Sequence, residues 1–232
     1  MNGHFLSREI NNEPAKFRRL LNKLNKEVDF INIEKAVELI SSGKATEVKK
    51  TLLAFTFDDG FDDCYYSLAP VLEEYGINAC FFINPNFVAG SKEYIKNFVI
   101  NTVSTPNKRP MDWEQITNLK DRGFVIGSHT KDHVRLSELD DHDIKCQVED
   151  SKYIIEKKLG IKCEYFAWPY GQFKDITEKA LIIVEEHHKY VFSGCDYKNY
   201  FSYEGKVFNR RHFEACWSFN ELKYFLSFTR KY

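Results

Sequence analysis

Two hydrophobic rhythms alternate along this chain. Short apolar runs sit between longer stretches whose apolar positions return at helical spacing. Phe17, Leu20, Leu21 and Leu24 behind Pro14 predict a first amphipathic helix, with the proline near its first turn. A second helix is predicted over 34–40, stopped by Ser41-Ser42-Gly43. The series continues with strand 51–57, helix 65–75 to Gly76, strand 78–83, helix 112–122 to Gly123 and strand 124–128. Helix 140–159 to Gly160, strand 163–168, helix 174–188, strands 190–193 and 206–213, and helix 218–229 complete it. Apolar strands separated by amphipathic helices mean βα units around a parallel sheet, so the expected class is α/β. The rhythm breaks over 84–111, where Asn84-Pro85-Asn86, Gly90-Ser91 and Thr105-Pro106-Asn107 predict a loop insertion. In a parallel barrel, loops that follow strands line the catalytic face. A plain surface excursion is the alternative.

The length of 232 residues suits a single domain over 1–232, with 1–50 as a helical extension packed on a barrel. Hydrophobic content of 43%, with 16% aromatic, suffices for a core and excludes a disordered chain. A formal net charge of −1 gives no electrostatic reason to bind nucleic acid or an anionic membrane. No apolar stretch is long enough for a transmembrane segment. The opening residues 1–8 lack the basic-then-apolar order of a signal peptide, so a cytoplasmic location is the expectation. The six cysteines include no Cys-x-x-Cys pair and read as reduced, small apolar residues rather than zinc ligands.

Chemistry concentrates at two strand ends. Leu52-Leu53-Ala54-Phe55 runs into Thr56-Phe57-Asp58-Asp59-Gly60, and Phe124-Val125-Ile126 runs into Gly127-Ser128-His129-Thr130-Lys131-Asp132-His133. One carboxylate and two neutral imidazoles suit Zn²⁺ or a similar divalent ion, with positions left for water and substrate. His129 and His133 are four apart, the spacing that puts two side chains on one face of a helical turn. Asp58 and Asp59 are adjacent, so both reach one site only if the backbone turns, which Gly60 permits. One then binds the metal and the other handles the proton of the attacking water. Taken alone, Asp-Asp-Gly reads as a turn and His-x-x-x-His as a solvated helix face.

In that order and spacing, together with Phe166-Ala167-Trp168-Pro169-Tyr170-Gly171, the motifs resemble the NodB-homology polysaccharide deacetylases, carbohydrate esterase family 4. The resemblance runs from about Thr51 to Phe192. It implies a distorted (β/α) barrel of about seven strands and metal-dependent removal of N-acetyl groups from a carbohydrate, such as a surface or capsular polysaccharide or its precursor. By position it implies Asp58 as general base and Asp59, His129 and His133 as metal ligands. Trp168, Pro169, Tyr170 and Gly171 would wall the substrate groove, with the Tyr170 N–H facing the oxyanion. Zinc is the expected metal, with cobalt, nickel or manganese as alternatives. The expected partner is an N-acetylated carbohydrate, and oligomeric state is left open.

Two departures from the family pattern stand out. Ala167 occupies the place of an arginine that orients the base, and residues 214–232 hold no histidine to protonate the leaving amine. By strand alternation Phe208, Arg210 and His212 share one face, so Arg210 is the candidate replacement for the arginine and His212 for the acid. The other reading makes them surface or salt-bridged residues of an edge strand. His4 is a further histidine that reaches the barrel if residues 3–6 form its first strand. Trp113 and Trp168 are candidate sugar platforms, and Trp113, with Ile116 and Leu119, reads equally as core. The rival functions are a catalytically silent glycan-binding protein on the same fold, and a deformylase or O-deacetylase.

Overall fold

The computed structural model describes residues 1–6, 14–47 and 49–232, so Ser7 and Arg8 of the N-terminal reading lie outside the described residues. Its strands are β1 (Asn2–Gly3), β2 (Asp29–Phe30), β3 (Leu52–Leu53), β4 (Phe55–Phe57), β5 (Ala79–Ile83), β6 (Val125–Ser128), β7 (Tyr165–Ala167), β8 (Tyr190–Ser193), β9 (Phe201–Ser202) and β10 (Val207–Asn209). In the main sheet the order is β1-β4-β5-β6-β7-β8-β10-β9, parallel except for β9 at the end. Beyond β10 the chain returns to β1. Asn2 N donates to Arg211 O at 2.8 Å, and Phe213 N donates to Asn2 O at 2.9 Å. That closure makes a distorted (β/α) barrel and leaves no open edge on this side.

Alternation sorts the strand residues into two layers. Cys80, Phe82, Tyr165, Ala167, Phe192 and Phe208 fill the interior, where α2 (Ile33–Ser41) adds Ile33 and Val37. The opposite faces pack against helices. Phe55, Phe57, Phe81 and Ile126 meet Phe17, Leu20 and Leu21 of α1 (Pro14–Leu24), and Phe166, Trp168 and Val191 meet α7 (Asp141–Leu159) and α8 (Glu178–His187).

Several elements differ from the sequence reading for local reasons. Strand 51–57 is cut at Ala54: β3 pairs with β2 in a small parallel sheet, while β4 enters the barrel. The helix over 65–75 opens as a wider turn, Cys64–Leu68, before α3 (Ala69–Glu73). Pro70 has no N–H to donate back to residue 66, so a regular α ladder cannot run through it. The helix expected over 174–188 starts at Glu178, where the Thr177 side chain accepts from Ala180 N. Residues 84–111 are not a bare loop: they carry α4 (Pro85–Val88), α5 (Lys92–Asn97) and a turn over Phe98–Thr102. Phe87, Phe98 and Val99 of this insertion form a satellite core with Phe5 and Phe61. No helix among the described residues is long and apolar enough to cross a membrane.

Candidate active site

The site lies at the C-terminal ends of the strands, in a cleft of about 890 Å³ lined by Asn2, His4, Asp58, Asp59, His129, His133, Tyr170, Gly171, His212 and Glu214 among others. Asp58 continues β4 and is 4% exposed. The Arg210 guanidinium meets it in a fork, Nη1 to Oδ1 at 2.7 Å and Nη2 to Oδ2 at 2.9 Å. The same guanidinium donates to Thr56 Oγ1 and to Ser193 O, so its rotamer is fixed at several points. Burial alone pushes the Asp58 carboxyl up, but the Arg210 charge overrides it and holds the group below the usual carboxylate range. A carboxylate accepts about four hydrogen bonds, so Asp58 keeps lone pairs free for another donor.

Asp59 turns the other way because it takes a left-handed backbone, φ 73°, followed by Gly60 at φ 79°. The turn therefore begins at Asp59 itself, one residue before the glycine that was expected to provide it. A Cβ at Gly60 would sit 2.9 Å from the Ile83 side chain, so the glycine answers to space as well as conformation.

His129 Nε2 and His133 Nε2 approach Asp59 Oδ1 at 3.5 and 3.2 Å. These contacts have the distance but not the alignment of hydrogen bonds, and Asp59 Oδ1 has no hydrogen-bond partner despite full burial. Three lone-pair atoms converging on one point, one of them orphaned, fit a divalent cation. Burial lifts the Asp59 carboxyl, but His133 and its neighbours draw it well below the usual range, while burial pushes the His133 imidazole down. An ionised carboxylate and a neutral imidazole are the forms that bind metal. His129 Nδ1 lies 2.7 Å from Ala167 O, which only accepts, so that nitrogen carries the proton and Nε2 is the ligand atom.

The two histidines do not share a helical turn, contrary to the sequence reading. His129 follows β6, and residues 130–133 form a loop in which Thr130 (φ 63°) and His133 (φ 59°) are left-handed. Asn84 Nδ2 pins that loop by donating to the carbonyls of His129 and Thr130. Asp132, between the histidines, accepts from Asn86 Nδ2 and Tyr94 OH at 2.7 Å each and from Gln147 Nε2 at 2.8 Å, tying the insertion to α7. Left-handed non-glycine residues cost roughly 1–2 kcal/mol each. Asp59, Thr130, His133 and Tyr170 (φ 64°) gather them at one cleft, where strain positions functional groups.

The wall divides differently from expectation. Trp168 is fully buried in the core beside α7 and α8, with Nε1 donating to Gln172 O, and Pro169 is buried too. Neither offers a face to a sugar. Tyr170 differs: it is 42% exposed, edges His133 at 4.9 Å and carries the Arg135 guanidinium 3.8 Å from its ring centroid. Gly171 is required at its place, since a Cβ there would lie 2.6 Å from Gly194 Cα. Trp113 packs partly buried on the core and lines no part of the cleft.

His4, which the sequence reading placed near the barrel only on condition of a first strand, and Glu214, which it left out, complete the site. His4 follows β1 and places Nδ1 3.1 Å from Glu214 Oε1, and His212 Nε2 stands 3.5 Å from the same oxygen. Burial favours a neutral His4 ring, but the Glu214 hydrogen bond and the Asp59 and Asp58 charges lift it to about 9. Burial pushes the His212 ring down. The alternation that grouped Arg210 with His212 extends one step further to Glu214, which was the available signal. The two-residue β1 is too short to show any periodicity.

A family model described as polysaccharide deacetylase matches residues 45–184. Over 125 residues the chain is 28% identical to the YxkH protein of Bacillus subtilis (strain 168), covering 54% of this chain and 39% of that one. It is 26% identical over 142 residues to the peptidoglycan-N-acetylglucosamine deacetylase of Bacillus cereus, covering 59% and 44%. The chain therefore spans less than half the length of these curated relatives. The solved Streptococcus pyogenes deacetylase PplD in complex with acetate shares the fold, with a TM-score of 0.72 at 19% identity over 98% of this chain and 96% of that one. With more than half of its length matched by the family model, on a barrel that brings Asp58, Asp59, His129 and His133 together, the chain belongs to the polysaccharide deacetylase family.

Proposed function

We propose that the protein is a metal-dependent hydrolase that removes N-acetyl groups from a carbohydrate, a cell-surface polysaccharide or its precursor. The observation that carries this is the buried Arg210–Asp58 fork beside the Asp59–His129–His133 triad: a fixed, ionised base next to a donor set suited to a divalent ion. When bound, zinc or a similar ion supplies positive charge where the oxyanion of the acetyl group develops.

The chain's own residues do the rest. Arg210 acts as a positioning residue, keeping Asp58 ionised and in one rotamer while a lone pair takes the proton of the attacking water. The Tyr170 N–H, at the strained wall, is the proposed second donor to the oxyanion. An amine leaves only if protonated, and His4 is better suited than His212 to supply that proton. Its Nδ1 is engaged by Glu214, which leaves Nε2–H for the cleft, and it is 30% exposed where His212 is 43% exposed. The exposed Tyr170 ring supports a sugar platform that Trp168 cannot provide.

The test is release of acetate from a panel of N-acetylated oligosaccharides and polymers by the metal-loaded protein, with O-acetylated and N-formylated controls. Acetate from N-acetyl substrates, abolished by Asp58→Asn, is the expected result. A protein that binds metal and glycan without turnover would instead be the silent binder, and preference for the ester or formyl control would reassign the acyl group.

A further inference from the structure

We propose that His4, His212 and Glu214 form a second divalent-metal site that fills when metal is in excess over the Asp59–His129–His133 centre, and that filling it inhibits the enzyme. The binding part stands alone; the inhibition rests on the deacetylase reading above, because it removes His4 from the leaving group.

The donor set repeats that of the buried centre, one carboxylate and two imidazoles. A tetrahedral ion with N and O bonds of about 2.0–2.2 Å holds its ligand atoms about 3.3–3.5 Å apart. Glu214 Oε1 lies 3.1 Å from His4 Nδ1 and 3.5 Å from His212 Nε2, against 3.2 and 3.5 Å from Asp59 Oδ1 to its two histidines. All three ligand atoms fall within 4.8 Å of one another, so small rotations bring them onto one ion.

A second observation points the same way. Glu214 Oε2 is buried and has no hydrogen-bond partner, so half of this carboxylate is unsatisfied. Among the described residues no lysine or arginine pairs with Glu214; only the two imidazoles do. The three residues border the substrate cleft and are partly exposed, so an ion can enter without opening the fold. The His4 proton must leave before Nδ1 binds metal, and the like charge of an ion at the first centre opposes a second. Both effects make this the weaker site.

The test is metal binding without substrate. Protein stripped with chelator is titrated with Co²⁺ at about pH 8, following visible absorption and bound metal by equilibrium dialysis. Two equivalents are expected, the second at least about tenfold weaker. His212→Ala and Glu214→Gln each should lose the second and keep the first, whereas Asp59→Asn should lose the first and keep the second. Acetate release by the wild type should fall as the second equivalent binds, and His212→Ala, measured against its own activity at one equivalent, should not show that fall. A single equivalent in the wild type, or a second one unchanged in both variants, overturns the site. Full activity at two equivalents overturns the inhibition. Absence of any acetate release with the second equivalent still bound and lost in both variants counts against the deacetylase reading and leaves the site standing.

Discussion

Two triads with the same kinds of donor, one carboxylate and two imidazoles, stand in one cleft, and they differ in everything around the ligand atoms. Asp59, His129 and His133 are at most 7% exposed, one imidazole tautomer is set by a carbonyl, and the loop that carries both histidines is pinned by Asn84. His4, His212 and Glu214 are 30%, 43% and 16% exposed, the two rings rest on each other, and His212 alone edges onto Trp217. The first group is held by strained backbone and a network beyond the ligands; the second sits where β1 and the segment after β10 close the barrel. Composition alone does not make a resident metal site. Preorganisation by the surrounding shell does, because an ion then binds without ordering its ligands.

The sharpest way to break this contrast is to exchange the roles of the two adjacent aspartates. Asp58→Asn should lower turnover by about a hundredfold to ten-thousandfold, the range for losing a general base, while tight metal content stays near one equivalent. Asp59→Asn should lose that tight equivalent. If elemental analysis finds the reverse, the two carboxylates have been assigned the wrong way round.

Next in size is the fork itself. Arg210 and Asp58 are 4% and 6% exposed at the side chain, and deleting one partner strands the other charge in the interior. Arg210→Ala is expected to cost about 3–5 kcal/mol in denaturant unfolding. Arg210→Lys should cost less, since it keeps the charge but lacks the planar fork. A loss below about 1 kcal/mol for Arg210→Ala would mean that the site does not depend on this buried pair.

A smaller effect separates the two triads functionally. His4→Gln should reduce kcat by about a hundredfold on an N-acetyl substrate. On an aryl acetate, whose phenolate leaves without a proton, the reduction should be much weaker. Equal losses on both substrates would remove His4 from the role of acid.

How much of this the sequence disclosed depends on how local the cause is. The parallel α/β layout was legible because strand and helix patterns need only neighbouring residues to define them. The barrel, and the choice of Asp59, His129 and His133 as the ligand set, came instead from the resemblance to the polysaccharide deacetylases. The Arg210 candidate also came from local alternation, although its contact with Asp58 spans 152 positions. The path of the chain from His129 to His133 was illegible, since nothing in Thr130-Lys131-Asp132 announces two left-handed residues. Trp168 was misread as a platform because an aromatic residue at a strand end looks the same whether it faces sugar or core. His4 and Glu214 become a pair only through barrel closure, which joins residues 210 positions apart.

His188 offers a third setting for an imidazole, buried like the first triad but without any carboxylate. It is 3% exposed, packs 4.9 Å from the Phe166 ring, and neither ring nitrogen has a hydrogen-bond partner. Burial first, then the Lys152 and His187 charges, push it down to about 3. An unfolded chain protonates the ring near pH 6.5. A depressed folded-state value means that the stability tied to neutral His188 is fully present above about pH 6.5 and is lost as pH falls toward 3, because only the unfolded chain gains the proton. At about pH 5.5 the linkage amounts to about 1.4 kcal/mol. His188→Leu or His188→Phe should therefore show a correspondingly shallower decline in unfolding free energy between about pH 7.5 and 5.5 than the wild type. Parallel declines would show that the ring is protonated or solvated in the folded protein, and would weaken the argument that burial without a carboxylate is what keeps an imidazole neutral here.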